Sequence, residues 1–215
     1  MTDARAARSA DAEPAADEHD ASPDDGRSLR RERNVAAVID AVLQMFDDET
    51  LTPTIDQAAA MSGLSLRSVY RYFPTPESLI QAAIDEVWRR GTAAAHLTSI
   101  GEGEFEDRLQ DFAEMRIRLY ERVGPGFRAG RLHAPQSVEI RDDLERTRRT
   151  LTDQFERQFR REIDALPNDV RTARRTTADI MSQLEVIDGL RRTRRLTVRE
   201  SIDVIADAIR MALRS

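Results

Sequence analysis

Residues 54–73 read TIDQAAAMSGLSLRSVYRYF, and this stretch has the layout of two short helices joined by a turn. Thr54 and Ser65 stand where hydroxyl caps of the two helices are expected, and Gly63 lies in the turn between them. Ala59 is small at the point where the helices must cross closely. We therefore predict a helix-turn-helix unit, whose second helix can enter the major groove of DNA with its first residues at the base edges.

Helical patterns flank this stretch on both sides. Before it, apolar residues recur at helical spacing up to Phe46, with Ser28 as the expected cap. After it, Thr75-Pro76-Glu77 combines a capping hydroxyl, a proline at the first helical position and an acid in the first turn. Longer helices are expected over about 104–123, 137–166, 169–190 and from 197 onward, with Gly124-Pro125-Gly126 ending the first of them. No strand pattern of useful length appears, so the predicted fold is all-α.

Charge and composition divide the 215 residues into three parts. Residues 1–28 hold eight acids against three arginines, so they account for −5 of the net charge of −6. We expect residues 1–27 to be a disordered acidic tail, because Ala, Asp, Glu and Pro bury too little apolar surface to fold. Residues 28–75 would form the helix-turn-helix domain, and residues 76–215 a larger helical domain for ligand binding and dimerisation.

Several function classes are disfavoured. The chain has no cysteine, which excludes disulfides and thiolate sites, and its basic residues are all arginine. Its three histidines are scattered without metal-ligand spacing, and no glycine-rich phosphate loop occurs. No apolar run approaches the ~18 residues of a membrane span. We expect a cytoplasmic protein that is not an enzyme, with no cofactor, no metal and no membrane partner.

The segment 33–79 resembles the DNA-binding domain of the TetR family of bacterial transcription regulators. The matching features are a first helix ending in Phe46, then Thr54-Ile55, Ala59, Gly63-Leu64-Ser65, Val69-Tyr70-Arg71-Tyr72-Phe73 and Glu77-Ser78-Leu79. Two features depart from the family pattern. Thr50-Leu51 replaces a glycine-aromatic pair, and Pro76 replaces a lysine that grips phosphate, although the free N–H groups near Thr75 could still hold one.

The resemblance implies a set of DNA contacts. Thr54, Tyr70 and Tyr72 would contact phosphates, whereas Leu66, Arg67, Ser68 and Arg71 would face bases or backbone. Arg67 is the candidate for bidentate guanine readout, and a plain phosphate contact is the alternative. The full expected DNA-binding set is Arg31, Thr54, Ser65, Leu66, Arg67, Ser68, Tyr70, Arg71, Tyr72 and Thr75.

The C-terminal part carries two further predictions. Arg116 falls on an apolar stripe, where it is either paired with an acid in the core or aimed at an anionic group of a ligand. The expected ligand-binding residues are Phe112, Met115, Arg116, Leu119 and Phe155. The expected dimer interface, by resemblance to the family, is Ile180, Leu184, Ile187, Ile202, Ile205 and Ile209; packing within one subunit is the competing account of the same residues.

These features together predict a homodimeric repressor that binds a palindromic double-stranded DNA operator and responds to a small-molecule effector. Two alternatives stay open: a ligand-independent or architectural DNA-binding protein, and a helical small-molecule-binding protein without DNA function. A collapsed C-terminal pocket would favour the first, and failure to retain DNA at low salt would favour the second.

Overall fold

The computed structural model describes residues 23–97 and 99–214, without the side chains of residues 23–25, 92 and 93. Within these residues the chain is all-helical and contains no strand, which confirms the predicted fold class. A 3₁₀ turn covers Thr92–Ala95 and a π turn covers Gly189–Thr193. The ten α-helices are α1 Pro23–Asp47, α2 Ile55–Ser62, α3 Leu66–Tyr72, α4 Pro76–Gly91, α5 Phe105–His133, α6 Val138–Gln158, α7 Arg160–Ala165, α8 Asn168–Met181, α9 Leu184–Asp188 and α10 Val198–Arg214.

The start of α1 differs from the prediction. The helix begins at Pro23 rather than after Ser28, so residues 23–27 belong to it and not to the acidic tail. Proline is well suited to a first helical position because its missing N–H would be unpaired there in any case. The rest of the predicted tail, residues 1–22, lies outside the described residues.

The helix-turn-helix forms as its caps predict. The Thr54 hydroxyl accepts a hydrogen bond from the Gln57 N–H while the Gln57 side chain accepts one from the Thr54 N–H, a reciprocal capping box. Gly63 ends α2 at φ 70°, in the left-handed region that favours glycine. The Ser65 hydroxyl then accepts from the Ser68 N–H and opens α3. Local side chains therefore fix both ends of the turn.

The predicted end of α5 at Gly124-Pro125-Gly126 is wrong, because the helix runs through this tripeptide to His133. Close packing against α4 explains the glycines: a Cβ built on Gly126 would lie only 2.6 Å from a methyl of Val87. Gly91 of α4 meets Val123 of α5 in the same tight manner. The burial gained along this contact offsets the local cost of proline inside a helix.

Two other predicted helices are each divided in two. The range 137–166 breaks at Phe159, whose backbone leaves the helical region while its ring packs edge-on to Phe112 at 5.1 Å. The range 169–190 breaks at Ser182, between α8 and α9. The break at Phe159 places its ring in an aromatic core with Phe112 of α5 and Phe155 of α6.

Candidate nucleic-acid interface

Helix α3 presents most of its predicted DNA contacts to solvent. Val69 is fully buried and anchors the helix on the core, whereas Leu66 and Tyr70 expose 42% and 46% of their surface. Arg67 and Arg71 are exposed one turn apart, so they point from the same face. Because Val69 fixes the opposite face of α3, these four side chains are held in place for an outside partner.

Not every predicted contact is free to reach DNA with its side chain. The hydroxyls of Ser65 and Ser68 lie 2.9 Å apart in a hydrogen bond to each other, so both belong to the cap of α3. The Thr75 hydroxyl accepts from the Ser78 N–H at 3.2 Å and caps α4 in the same manner. Thr54 is likewise committed to its capping box. A phosphate accepts hydrogen bonds, so a capping hydroxyl can bind it only through a free hydroxyl hydrogen. Thr75 has such a hydrogen, as does one of Ser65 and Ser68, whereas Thr54 donates its own to the Gln57 side chain.

Tyr72 is held by a residue that sequence analysis missed. Asn34 of α1 donates its side-chain N–H to the Tyr72 hydroxyl oxygen at 3.2 Å, and Arg71 donates to the same oxygen at 2.9 Å. These two hydrogen bonds, with the one from Asn34 the larger cause, lower the pKa of Tyr72 below its usual value. The oxygen already accepts two hydrogen bonds, so the hydroxyl hydrogen is oriented outward as a donor, as phosphate binding requires.

The exposed arginines of α1 and α3 form one surface, which we call the basic face: Arg27, Arg30, Arg31, Arg67 and Arg71. The three on α1 lie three to seven residues before Asn34 and therefore share its side of the helix, next to Tyr72. The charge of Arg31 also contributes to lowering the pKa of Tyr72, which places it on this side. The basic face thus runs from the start of α1 onto the exposed face of α3.

Ion pairing separates the basic face from other arginines of the described chain. Arg31, Arg67 and Arg71 form no ion pair with a described acid, whereas Arg89 and Arg90 of α4 both bind Glu86. The pair with Arg89 is the main cause that lowers the pKa of Glu86 to about 2. The positive charge of an arginine that has no carboxylate partner is not neutralised, so it attracts a polyanion such as DNA. Each arginine that then contacts a phosphate releases a counterion.

Comparison with known proteins supports the architecture. A solved structure of a transcriptional regulator from Rhodococcus sp. Rha1 is similar to this chain, with a TM-score of 0.63 and 14% sequence identity over 85% of this chain and 95% of that one. The likeness shows the fold. No protein-family model matches the sequence, and no curated protein matches it either.

A second candidate site is a cavity of about 360 Å³ between α4 and α6, which we call the inner cavity. Its walls are mainly apolar, with the Asp85 and Asp143 carboxylates, Arg146 and two threonines at the edge. A volume of this size suits a small organic molecule. The apolar wall consists of Trp88, Gly91, Ala95, Leu119 and Leu151.

The predicted ligand-binding set needs correction. Of its five residues only Leu119 lines the inner cavity; Phe112, Met115, Arg116 and Phe155 are fully buried in the core. The aromatic rings of α5 and α6 pack against each other, at 6.0 Å between the centroids of Phe112 and Phe155, which places these side chains in the core. Apolar residues at helical spacing show which face of a helix is buried, but they do not show whether a ligand or other side chains of the chain bury it.

Arg116 matches neither alternative from the sequence. Its guanidinium donates to the Leu151 carbonyl at 2.6 Å and to the Gln154 side chain at 2.9 Å, and it lies 4.6 Å from the centre of the Phe112 ring. Among the described residues, no carboxylate forms an ion pair with it, and its Nε atom is buried without a hydrogen-bond acceptor. Burial therefore lowers the pKa of Arg116 to about 9, although the charge of Asp179 acts in the opposite sense.

Five of the six residues predicted for the dimer interface are buried within one chain, and the interface itself stays a prediction. Leu184, Ile187, Ile202, Ile205 and Ile209 are buried inside one chain, so packing within the subunit accounts for them. Ile180 stays 51% exposed on α8. It shares helical spacing with other exposed or partly exposed small and apolar side chains on α8 and α10, which we call the outer stripe: Ala173, Thr177, Ile180, Val204, Ala208 and Met211.

The loop between α1 and α2 is tied to the C-terminal helices. Glu49 has an unusual φ of 64° and pairs with Arg128 of α5 at 2.6 Å and with Arg192 of the π turn at 2.9 Å. The Leu51 carbonyl lies 3.0 Å from the His133 ring nitrogen. The helix-turn-helix is therefore connected to the rest of the chain through this loop as well as through α4.

The described residues contain no cluster of side chains that could hold a metal ion. None of the described helices combines the length and the apolar character needed to cross a bilayer.

Proposed function

We propose that this chain is a DNA-binding transcriptional regulator of the TetR type, acting as a homodimeric repressor on a palindromic operator. The observation that carries the proposal is the basic face, on which exposed arginines continue from α1 onto the second helix of a helix-turn-helix. Of these arginines, Arg31, Arg67 and Arg71 form no ion pair with a described acid. The regulator from Rhodococcus, which has the same fold, gives further support. In this proposal α3 enters the major groove and Arg67 meets base edges.

The proposed dimer forms through the outer stripe. Small residues such as Ala173 and Ala208 allow helices of two subunits to approach closely, and Ile180 and Met211 supply apolar surface. Two α8 and two α10 helices would then make a four-helix interface. A two-fold axis through this interface relates the α3 helices of the two subunits. This arrangement suits operator half-sites whose centres lie about 34 Å apart on one side of the duplex.

The proposed effector occupies the inner cavity. Trp88 and Gly91 of its wall belong to α4, which directly follows the helix-turn-helix. A molecule that fits the cavity better in one position of α4 than in another shifts the separation of the two α3 helices, and couplings of this kind are typically ~1–3 kcal/mol. The ion pairs of Glu49 give the helix-turn-helix a second connection through which it follows the C-terminal helices.

The experiment that tests the proposal begins with selection of bound fragments from random DNA by the purified protein. The selected sequence is then titrated with wild type, Arg67→Ala and Tyr70→Phe. Arg67→Ala should cost ~1–3 kcal/mol on the preferred sequence and relax discrimination at one or two positions per half-site. Tyr70→Phe keeps the ring but removes a phosphate contact, so it should weaken all sequences about equally and leave the salt dependence nearly unchanged.

Two results would count against the proposal in different ways. If no sequence is enriched and low-salt buffer does not retain DNA, the chain is not a DNA-binding regulator. If Arg67→Ala lowers affinity uniformly, Arg67 contacts phosphate and base reading must come from Leu66, Arg71 or DNA shape.

A further inference from the structure

The basic face has a second possible occupant within the same chain. Residues 9–22, SADAEPAADEHDAS, contain five acids and no arginine, and they precede α1 directly. The basic face opposite them is exposed, and Arg31, Arg67 and Arg71 have no described acid as an ion-pair partner. We propose that this acidic segment binds the basic face and competes with DNA for it. The competition with DNA rests on the proposed function, whereas the contact between the acidic segment and the basic face does not.

The reach of the segment is sufficient. From Pro23 to Asn34, where α1 meets Tyr72 of α3, the helix rises by about 16 Å. Fourteen residues in extended form span at most about 45 Å, so a segment that turns back along α1 reaches Arg71 and Arg67 with length to spare. Acids at positions 11 to 20 would thus have the reach to meet Arg30 and Arg31 of α1 as well as Arg67 and Arg71 of α3.

Tethering makes a weak contact effective. A segment joined to its site by a few residues is present at an effective concentration in the millimolar range, so low intrinsic affinity still fills the site. DNA must displace the acidic segment before it can bind the basic face. If the face is open in only one molecule of ten, its apparent affinity for DNA is about tenfold weaker. The contact is between exposed charges, so salt screens it, and the Debye length shrinks from about 10 Å at 0.1 M to about 3 Å at 1 M.

The first measurement compares DNA affinity between two charge-matched variants of the full chain. One variant neutralises the segment: Asp11→Asn, Glu13→Gln, Asp17→Asn, Glu18→Gln and Asp20→Asn. The control neutralises five exposed acids of the C-terminal helices and the loop before them: Glu102→Gln, Asp111→Asn, Asp142→Asn, Asp153→Asn and Asp164→Asn. At about 50 mM salt the first variant should bind the selected DNA about tenfold tighter than wild type. The control should change affinity by less than about twofold, because its charges lie away from the DNA.

The second measurement needs no DNA. The chain contains no cysteine, so Ala15→Cys provides a single attachment site for a nitroxide spin label. The label should broaden the amide signals of Arg31, Arg67 and Arg71 in the free protein. This broadening should disappear when the acidic segment is neutralised and when salt is raised to about 0.5 M, where exposed charges are strongly screened.

The two measurements separate the contact from the proposed function. Broadening without DNA binding by any variant supports the contact and refutes the DNA-binding function. Absence of broadening at the basic face overturns the contact, whatever the DNA affinities are. Equal gains in affinity for the two variants would attribute the effect to net charge, and this result would also overturn the proposal.

Discussion

Replacing Arg116 with methionine should stabilise the protein, although it removes a fully buried side chain with two hydrogen bonds. In the described part of the chain the guanidinium pairs with no carboxylate, and its Nε atom has no acceptor. Methionine is similar in length and has no charge to bury. Buried charges of this kind are often replaced by apolar residues without loss of stability, and sometimes with a gain.

The magnitude follows from the surroundings of Arg116. A pKa of about 9, against an ordinary value of 12.5, corresponds to roughly 5 kcal/mol against the charged form. The substitution leaves the Gln154 side-chain oxygen without its donor, at ~1–3 kcal/mol, and removes the contact with the Phe112 ring, whereas the Leu151 carbonyl keeps its hydrogen bond within α6. Gln154 keeps its hydrogen bond to the Ala95 carbonyl. The balance is a gain of about 1–3 kcal/mol for Arg116→Met.

Urea unfolding at pH 7.5 measures this difference, with Arg118→Met as the matched control. Arg118 lies on the same helix but is 57% exposed, and its ion pair with Glu114, at 3.6 Å, is a solvent-exposed one. Exposed ion pairs contribute little to stability, so this substitution should change the free energy of unfolding by less than ~0.5 kcal/mol. The pKa of Arg116 is lower in the folded state, so the penalty is present below about pH 9 and shrinks as the pH rises above it. The advantage of the methionine variant should therefore narrow between pH 9 and pH 10.5.

A lower urea midpoint for Arg116→Met would refute this reasoning. It would mean that the hydrogen bonds and the aromatic contact outweigh the burial of the charge. An advantage that stays constant up to pH 10.5 would refute the electrostatic part alone and attribute the gain to packing.

Three further predictions concern packing, pH and assembly. Gly126→Ala should cost ~1–3 kcal/mol because its methyl meets Val87, whereas Gly189→Ala, with open space around it, should gain up to ~1 kcal/mol; thermal unfolding of the two variants compares them. Arginine partners lower the pKa of Glu86 to about 2, so its stabilising effect is lost as the pH falls from about 4.5 toward 2; circular dichroism should show a shallower acid transition for Glu86→Gln. Ala208→Asp should give monomers with the helical content of wild type, and a sedimentation profile that still shows dimers would place the interface away from the outer stripe.

The elements that could be predicted are those that neighbouring residues determine. Thr54 and Ser65 cap their helices through residues three positions away, and Thr197 with Glu200 opens α10 in the same way. Each of these capping signals involves residues within one helical turn of each other, so it can be recognised from the local sequence alone. They were sufficient for the helix-turn-helix and for the all-α class.

The features that could not be predicted depend on distant packing. Pro125 has the local signature of a helix end, yet the contact between α4 and α5 keeps the helix intact. Asn34 and Tyr72 are 38 positions apart, and no local pattern announces their hydrogen bond. Ile205 lies on a regular apolar stripe, which indicates that something covers it but not whether that is its own chain or a second one.

The position of Trp88 provides an intrinsic optical probe. It is the one tryptophan in the chain, and it forms part of the wall of the inner cavity. All of the indole fluorescence therefore originates beside the place where an effector is expected to sit. A compound that enters the cavity changes the polarity around this ring and shifts or quenches its emission, whereas a compound that binds far away leaves it unchanged. A chemical library can thus be screened for effectors with the unlabelled wild-type protein, before the operator sequence is known.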